Sequence, residues 1–499
     1  MSNSVFALND FGDPLTAIKT TMNLRLEALH KEIEKINQES NLIVRFFLKL
    51  EFLFKYEKFP PATDVTAKLD TIPLYNIIIR DIQNAPSKGD GYIKIKDKNS
   101  AYDLTYIKCT NMWTVEQRSI DNGVISKVLN GGSKTVTHQK MLEFMGVQSD
   151  YTSANDYSTS IKQSFEKNQM ILQAILKSDS ELNSFFNGLL CRSDELSEYH
   201  PEKGHKFTVG DVCGSPVTML LAGYASGTLK MKAGKSETRF MTDFMNEYKK
   251  LIMDWKNPPE QTARDKITKL ASELMAELQP VVSGPLASDA HSGLLFLGDN
   301  INDRMDSDYE LQARVISLLG SAGAEFLRGN HDSFDFSAAT EHNYGKNQHD
   351  KRIVVQLRNF FLPAVYVHKT NTLYTHNGVK LDETGTRVLY AFPELDGMEL
   401  NSEKETYGEQ IHKYITANIT NYDDYNYDFE DTNKTIKSPT GFRPEMDELD
   451  LCAKKLNIKQ VAGHTDDGLQ SKGDAIRING VNFINGKKYM VPVAAITGK

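Results

Sequence analysis

Five short apolar runs in this chain each end in an aspartate, asparagine or histidine. They are HKFTVGDVCGSP at 205–216, LLFLGDNINDR at 294–304, EFLRGNHD at 325–332, LYTHNG at 373–378 and QVAGHTDDG at 460–468. Carboxylate, amide oxygen and imidazole together form a donor set for Mn, Fe or Zn. Two such ions about 3.5–4 Å apart lower the pKa of a bridging water and clamp a phosphate, which is the chemistry of phosphoester hydrolysis. One carboxylate must then bridge the ions, and Asp299 in the buried Gly-Asp pair is the natural choice. An arginine fork can grip the phosphate oxygens, and an imidazole beside the leaving oxygen can protonate it. Taken singly, each residue has an ordinary explanation. Gly-Asp is common turn chemistry, and a lone His376 or His464 on a strand is more often structural. Five strand ends so tipped make coincidence remote.

The elements that must position these groups follow from the same runs. Each run is a short buried strand, and ligands in open α/β architectures gather where strand ends meet loops. Asp299 and Asn330 lie 31 residues apart, about the length of one β-α-β unit. Asp211 and Asp299 are 88 apart, so a surplus near 228–288 must be accommodated. Its apolar spacing (Phe240, Phe244, Tyr248, Leu251, Ile252, then Ile267, Leu270, Leu274, Leu278), broken by Pro258-Pro259, predicts an inserted helical hairpin. A second insert near 395–445 holds NITNYDDYNYDFEDTN, acidic and tyrosine-rich: a solvated loop, a substrate-facing lid or a phosphorylatable segment.

The ordered blocks resemble the signature of the phosphoprotein phosphatase family of calcineurin-like metallophosphoesterases: GDxHG, GDxVDRG, GNH[DE], HGG and a final lone His. GDVCG at 210–214, GDNINDR at 298–304 and LRGNHD at 327–332 are similar to the first three. FFLPAVYVHKTNTLYTHNG at 360–378 and CAKKLNIKQVAGHTDDG at 452–468 resemble the last two, and the likeness covers roughly residues 205–499. It implies an α/β (α+β layered) fold, a central mixed β-sandwich flanked by helices. The catalytic domain would be 201–499, after a mainly helical N-terminal region at 1–200. It further implies that Asp211 ligates the first metal, Asp299 bridges, and Asn330, His376 and His464 complete the second. His331 would be the general acid, oriented by Asp332, with Arg328 and Arg304 gripping phosphate and Asn302 or Asp303 in place of the family's second-block Asp. Two divalent ions, Mn or else Fe or Zn, would be the cofactors.

Several positions depart from the pattern. Cys213 stands where the family has a histidine ligand of the first metal; it is either a soft ligand or an inert packing residue. His205 and His291 are the nearby imidazoles that could substitute. Asn302 adds a residue to the second block, Met305 replaces its Gly, and Asn377 replaces the first Gly of HGG. Ala462 replaces a basic residue two positions before the last His, removing one group from the phosphate grip.

The whole chain bounds the rest. It has 499 residues, 25% charged and 40% hydrophobic, with a formal charge of -8. That balance disfavours a broad grip on nucleic acid. Four scattered cysteines form no disulfide framework or zinc finger. The first residues lack a Sec-type signal, and no apolar run approaches the ~20 residues of a membrane span, so a soluble cytoplasmic protein is expected. In residues 1–200, apolar spacing over 14–58 predicts a helical hairpin, GYIKIKDKNSAYDLTYIKC at 91–109 predicts two strands, and 158–188 reads as helical. The expected activity is hydrolysis of phosphomonoesters on protein, phosphotyrosine or phosphoserine/threonine, by attack of a metal-bound hydroxide. The alternatives are a nucleotide or dinucleoside-polyphosphate hydrolase and a weakly active phosphatase-like binding module. The large helical additions also resemble phosphatase effectors that intracellular bacteria secrete into host cells, which would place the chain in a host cytosol by a non-Sec route.

Overall fold

A computed structural model of the chain describes residues 73–96, 100–121, 124–144, 152–234, 236–255, 260–282, 286, 290–301, 308–329, 331–332, 348–385, 387–389, 398–399, 406–418, 444–464, 468–484 and 487–499, with Lys31 and Lys35. The chain divides into two compact units, Met1–Ser149 and Asp150–Lys499. Among the described residues no helix is long and apolar enough to cross a membrane.

The described part of the first unit is not mainly helical. Helix α1 (Pro73–Lys88) leads into an antiparallel meander of β1 (Gly91–Lys96), β2 (Ser100–Ile107), β3 (Met112–Asp121) and β4 (Val124–Thr137), closed by α2 (His138–Phe144). Strand period 2 puts Tyr102, Leu104 and Tyr106 on one face. There they join Trp113, Val115, Ile82, Ala85 and Met141 in a core. The Trp113 indole N–H donates to His138 Nδ1 at 3.0 Å, satisfying the one polar group of that large side chain. The sequence reading foresaw β1 and β2 but missed β3 and β4, whose Asp121-Asn122-Gly123 is a hairpin-turn signal. The hairpin expected over 14–58 lies, apart from Lys31 and Lys35, outside the described residues.

The second unit begins with α3 (Ala154–Ser178), so residues 151–200 belong here and not with the N-terminal region to which the sequence reading gave them. Buried amides explain the attachment. Asn168 Nδ2 donates to the Tyr224 and Leu229 carbonyls at 2.7 and 3.0 Å, and Gln169 Nε2 to that of Ala225 at 3.0 Å. The Tyr224 and Ala225 carbonyls lie at the end of α4 (Pro216–Ala225), which Ser215 caps at its start by accepting from Thr218 N–H.

Two sheets form the centre of this unit. The first contains β5 (Lys206–Val209), β6 (Leu294–Phe296) and β7 (Glu325–Phe326), mutually parallel, with β13 (Ala494–Thr497) antiparallel to β5; the order is β13-β5-β6-β7. The second contains β8 (Val365–Val367), β9 (Thr372–Thr375), β10 (Lys459–Ala462), β11 (Leu469–Lys472) and β12 (Ala475–Ile478) in the order β8-β9-β10-β12-β11. Within it β9, β10 and β12 are parallel. The sheets face each other: the Tyr374 and Thr497 hydroxyls are 3.0 Å apart in the buried space between them. The result is an α/β class fold, a mixed sandwich with helices outside.

Between β5 and β6 the chain makes α5 (Glu237–Met253) and α6 (Gln261–Glu277), bracketed by an antiparallel pairing of Leu229–Met231 with Leu278–Pro280. Tyr248 on α5 is buried and lies 3.0 Å from both the Ser215 and Thr218 hydroxyls, tying this hairpin to the first Gly-Asp turn. Helices α7 (Tyr309–Ser321) and α8 (Gln348–Phe360) follow β6 and β7. Of the second insert, α9 (Tyr407–Asn418) is described, while the tyrosine-rich 419–433 lies outside the described residues. Helix α10 (Met446–Leu456) covers the second sheet through Leu449 against Ala462 and Ala475.

Candidate metal centre

Parallel strands β5, β6, β9 and β10 all end on the same edge of the sandwich, and each delivers one side chain there. Asp211, Asp299, His376 and His464 are buried, and each offers a donor atom within 4.8 Å of those of the other three. The backbone is strained to do this. Asp299 and His464 adopt positive φ of 52° and 65°, a region unfavourable for residues with a Cβ and found disproportionately at functional sites. Gly298 (φ 127°) permits the approach, because a Cβ there would run into His376 Nδ1 and the Gly329 backbone. A Cβ on Gly329 would in turn strike the Asp299 amide and carboxylate.

Hydrogen bonds fix the direction of each group. His376 Nδ1 sits 2.8 Å from the Leu297 carbonyl. As a donor to that oxygen, Nδ1 carries the proton and leaves Nε2 as the free lone pair. Nε2 lies 3.6 Å from Asp299 Oδ1. The His464 amide donates to both Asp211 oxygens at 3.3 and 3.2 Å, and the His376 and His464 rings are 4.7 Å apart. Burial pushes the Asp299 carboxyl up, but His376, His331, His464 and the His331 N–H outweigh it, and the net shift is downward. Asp299 is thus held as a carboxylate. Two carboxylates and two imidazoles, dehydrated and converging, fit a divalent ion of the Mn, Fe or Zn kind.

His331 joins the same cluster through its backbone: its N–H donates to Asp299 Oδ1 at 3.0 Å. Arg328 is close in the chain, and its Nη2 donates to the Arg358 carbonyl near the C-terminus of α8 at 3.1 Å. Asn330, Asn302, Asp303 and Arg304 lie outside the described residues.

Other sequence expectations need correction. Asp332 is fully buried, and it does not accept from the His331 ring that it was expected to orient. Its oxygens take Ile301 N–H at 2.9 Å, Gly329 N–H at 2.7 Å and Asn300 Nδ2 at 3.1 Å. Burial and then the Asp299 charge raise its pKa well above the usual carboxylate range. Cys213 is not part of the four-residue cluster; it is buried in a left-handed turn (φ 54°), its thiol 3.7 Å from the Asp211 carbonyl. His205 and His291 stand at the opposite, N-terminal ends of β5 and β6. There His205 Nδ1 lies 2.8 Å from the Glu198 carbonyl and His291 Nδ1 4.0 Å from Glu325, so neither replaces the missing histidine. Sequence reasoning also missed the Leu297 carbonyl and Asn300. A carbonyl carries no sequence signal; Asn300 stood in the open position of the second block and was passed over.

Residues 270–466 match the family model for calcineurin-like phosphoesterases. That stretch is similar to calcineurin-like phosphoesterase domains. It holds Asp299, His376 and His464, while Asp211 precedes it, in the turn after β5. The match supports a metal-dependent phosphoester hydrolase, and the buried Asp/His cluster could hold its metal. No curated protein matches the chain.

Proposed function

We propose that the second unit hydrolyses phosphomonoesters on protein side chains, as the phosphoprotein branch of the calcineurin-like enzymes does. The observation that carries the reading is the convergence of Asp211, Asp299, His376 and His464 at one buried edge. Bound divalent ions would supply a nucleophilic water at neutral pH and neutralise phosphate charge. Asp211 would hold one ion, Asp299 would stand between the two, and Asn330, His376 and His464 would hold the other. His331, whose amide is bonded to Asp299, would stand where a leaving oxygen needs its proton, and general-acid assistance of this kind contributes about 10²–10⁴-fold. Arg328 and Arg304 would hold the phosphate oxygens, with Asp303 as the second-block acid. Support for a protein substrate comes from the order of the five blocks and from GNHD, which resemble the phosphoprotein family.

A Mn-supplemented assay tests this reading with phosphotyrosine peptide, phosphothreonine peptide and dinucleoside polyphosphate, beside a His331→Ala control. Turnover of a phosphopeptide that His331→Ala loses is the expected result. Turnover of the polyphosphate alone would move the enzyme to the nucleotide-hydrolysing branch. No turnover of any substrate with Mn, Fe or Zn would leave the chain a phosphatase-like binding module.

A further inference from the structure

The pairing of β6 with β7 ends at Phe296 and Phe326, so beyond it something must hold the Gly298–Ile301 turn against the Leu327–Asp332 turn. The first turn carries Asp299 and the second carries His331, with Asn330 between Gly329 and His331 in sequence. Between them lies Asn300, with no measurable exposure. Its Nδ2 donates twice across the gap, to the Leu327 carbonyl at 2.7 Å and to Asp332 Oδ2 at 3.1 Å. Asp332 returns the link by accepting Ile301 N–H at 2.9 Å and Gly329 N–H at 2.7 Å. The amide oxygen of Asn300 has no hydrogen-bond partner among the described residues. Only the donor end of the carboxamide is used.

We infer that Asn300 is the positioning residue of the metal centre: its carboxamide staples the second and third ligand blocks together and sets the spacing of Asp299 from the loop that holds Asn330 and His331. The inference rests on the reading of Asp299 as a metal ligand. Side chains that orient metal ligands typically change metal affinity about 10- to 100-fold when removed. Here the effect has a sign that packing alone does not produce. Asn300→Asp keeps the shape but replaces the donor with an acceptor, facing the Leu327 carbonyl. It should therefore harm the centre at least as much as Asn300→Ala, which removes more atoms.

Mn(II) titration of the full chain, followed by electron paramagnetic resonance, reads this directly. Melting of the metal-free proteins and steady-state kinetics on p-nitrophenyl phosphate accompany it. Expected are Mn affinities about 10- to 100-fold weaker in both variants, kcat lowered with KM little changed, and Asn300→Asp no better than Asn300→Ala. Wild-type Mn affinity in Asn300→Asp overturns the inference. So does a loss of Mn binding that only tracks the unfolded fraction in the metal-free melts. Should neither variant fold, Asn300→Ser keeps a shorter donor: intermediate affinity supports the staple, wild-type affinity overturns it. Wild-type protein that binds no Mn, Fe or Zn overturns the functional reading and this inference together; equal binding by wild type and Asn300→Asp overturns the inference alone.

Discussion

Two Gly-Asp turns stand side by side in the phosphoesterase fold, after β5 and after β6, and they are held in different ways. The turn at Asp299 is braced by polar contacts with the neighbouring turn, through its own Asn300 and through Asp332 and the His331 amide opposite. The turn at Asp211 is braced from behind by helices, through the Ser215–Tyr248–Thr218 hydroxyls. Its carboxylate accepts from the His464 amide. The two are linked at Gly214, whose N–H donates to the Asp299 carbonyl at 3.0 Å. What the difference teaches is that a ligand can be positioned by polar bracing or by packing, but the second way brings no further donor to the site. Cys213 is buried in the first turn, its thiol 3.7 Å from the Asp211 carbonyl.

Asp299→Asn attacks the shared carboxylate and should have the largest effect. Metal content and kcat are expected to fall beyond the roughly 100-fold typical of groups that only orient ligands; unaltered metal content by elemental analysis would break the comparison at its centre. His331→Ala should cost kcat about 10²–10⁴-fold while leaving metal content unchanged, since His331 meets Asp299 through its backbone. A parallel loss of metal would instead make its side chain a ligand. Cys213→Ala should leave metal content and kcat within about twofold, as expected of a packing residue outside the cluster; a loss of one ion would restore Cys213 to the ligand set. Ser215→Ala removes a helix cap worth about 1 kcal/mol, and so should lower the melting temperature without altering Mn affinity. Coupled loss of affinity would show that helical bracing also sets the geometry of Asp211.

The legible part of this molecule was the part written in short runs. Four apolar residues followed by Gly-Asp, as in LLFLGD, announce both a buried strand and what it delivers, so Asp211, Asp299, His376 and His464 could be read as a set. The helices α5 and α6 occupy stretches whose apolar spacing was equally plain. Side-chain tasks that depend on third partners were not legible. Asp332 follows His331 in the chain, yet its carboxylate turns to amides of residues 300, 301 and 329, a choice that only the folded turns create. His205 and His291 looked near to the site because β5 and β6 are short, but a strand of three or four residues still spans about 10 Å or more, which separates its two ends chemically. In the first unit, β3 and β4 carry many polar residues, and their alternation was too weak to stand out beside β1 and β2.

Strand β5 has consequences for how the centre comes into being. Its two neighbours in the sheet, β6 and β13, come from residues 294–296 and 494–497, so neither can be recruited from nearby chain. Pairings of such long range are paid for in loop-closure entropy before they return any stabilisation, and they slow folding. The pairings that flank the Asp211 turn therefore form only when distant segments have met. On the proposed reading, a metal centre that includes Asp211 would be complete only once these distant segments have paired.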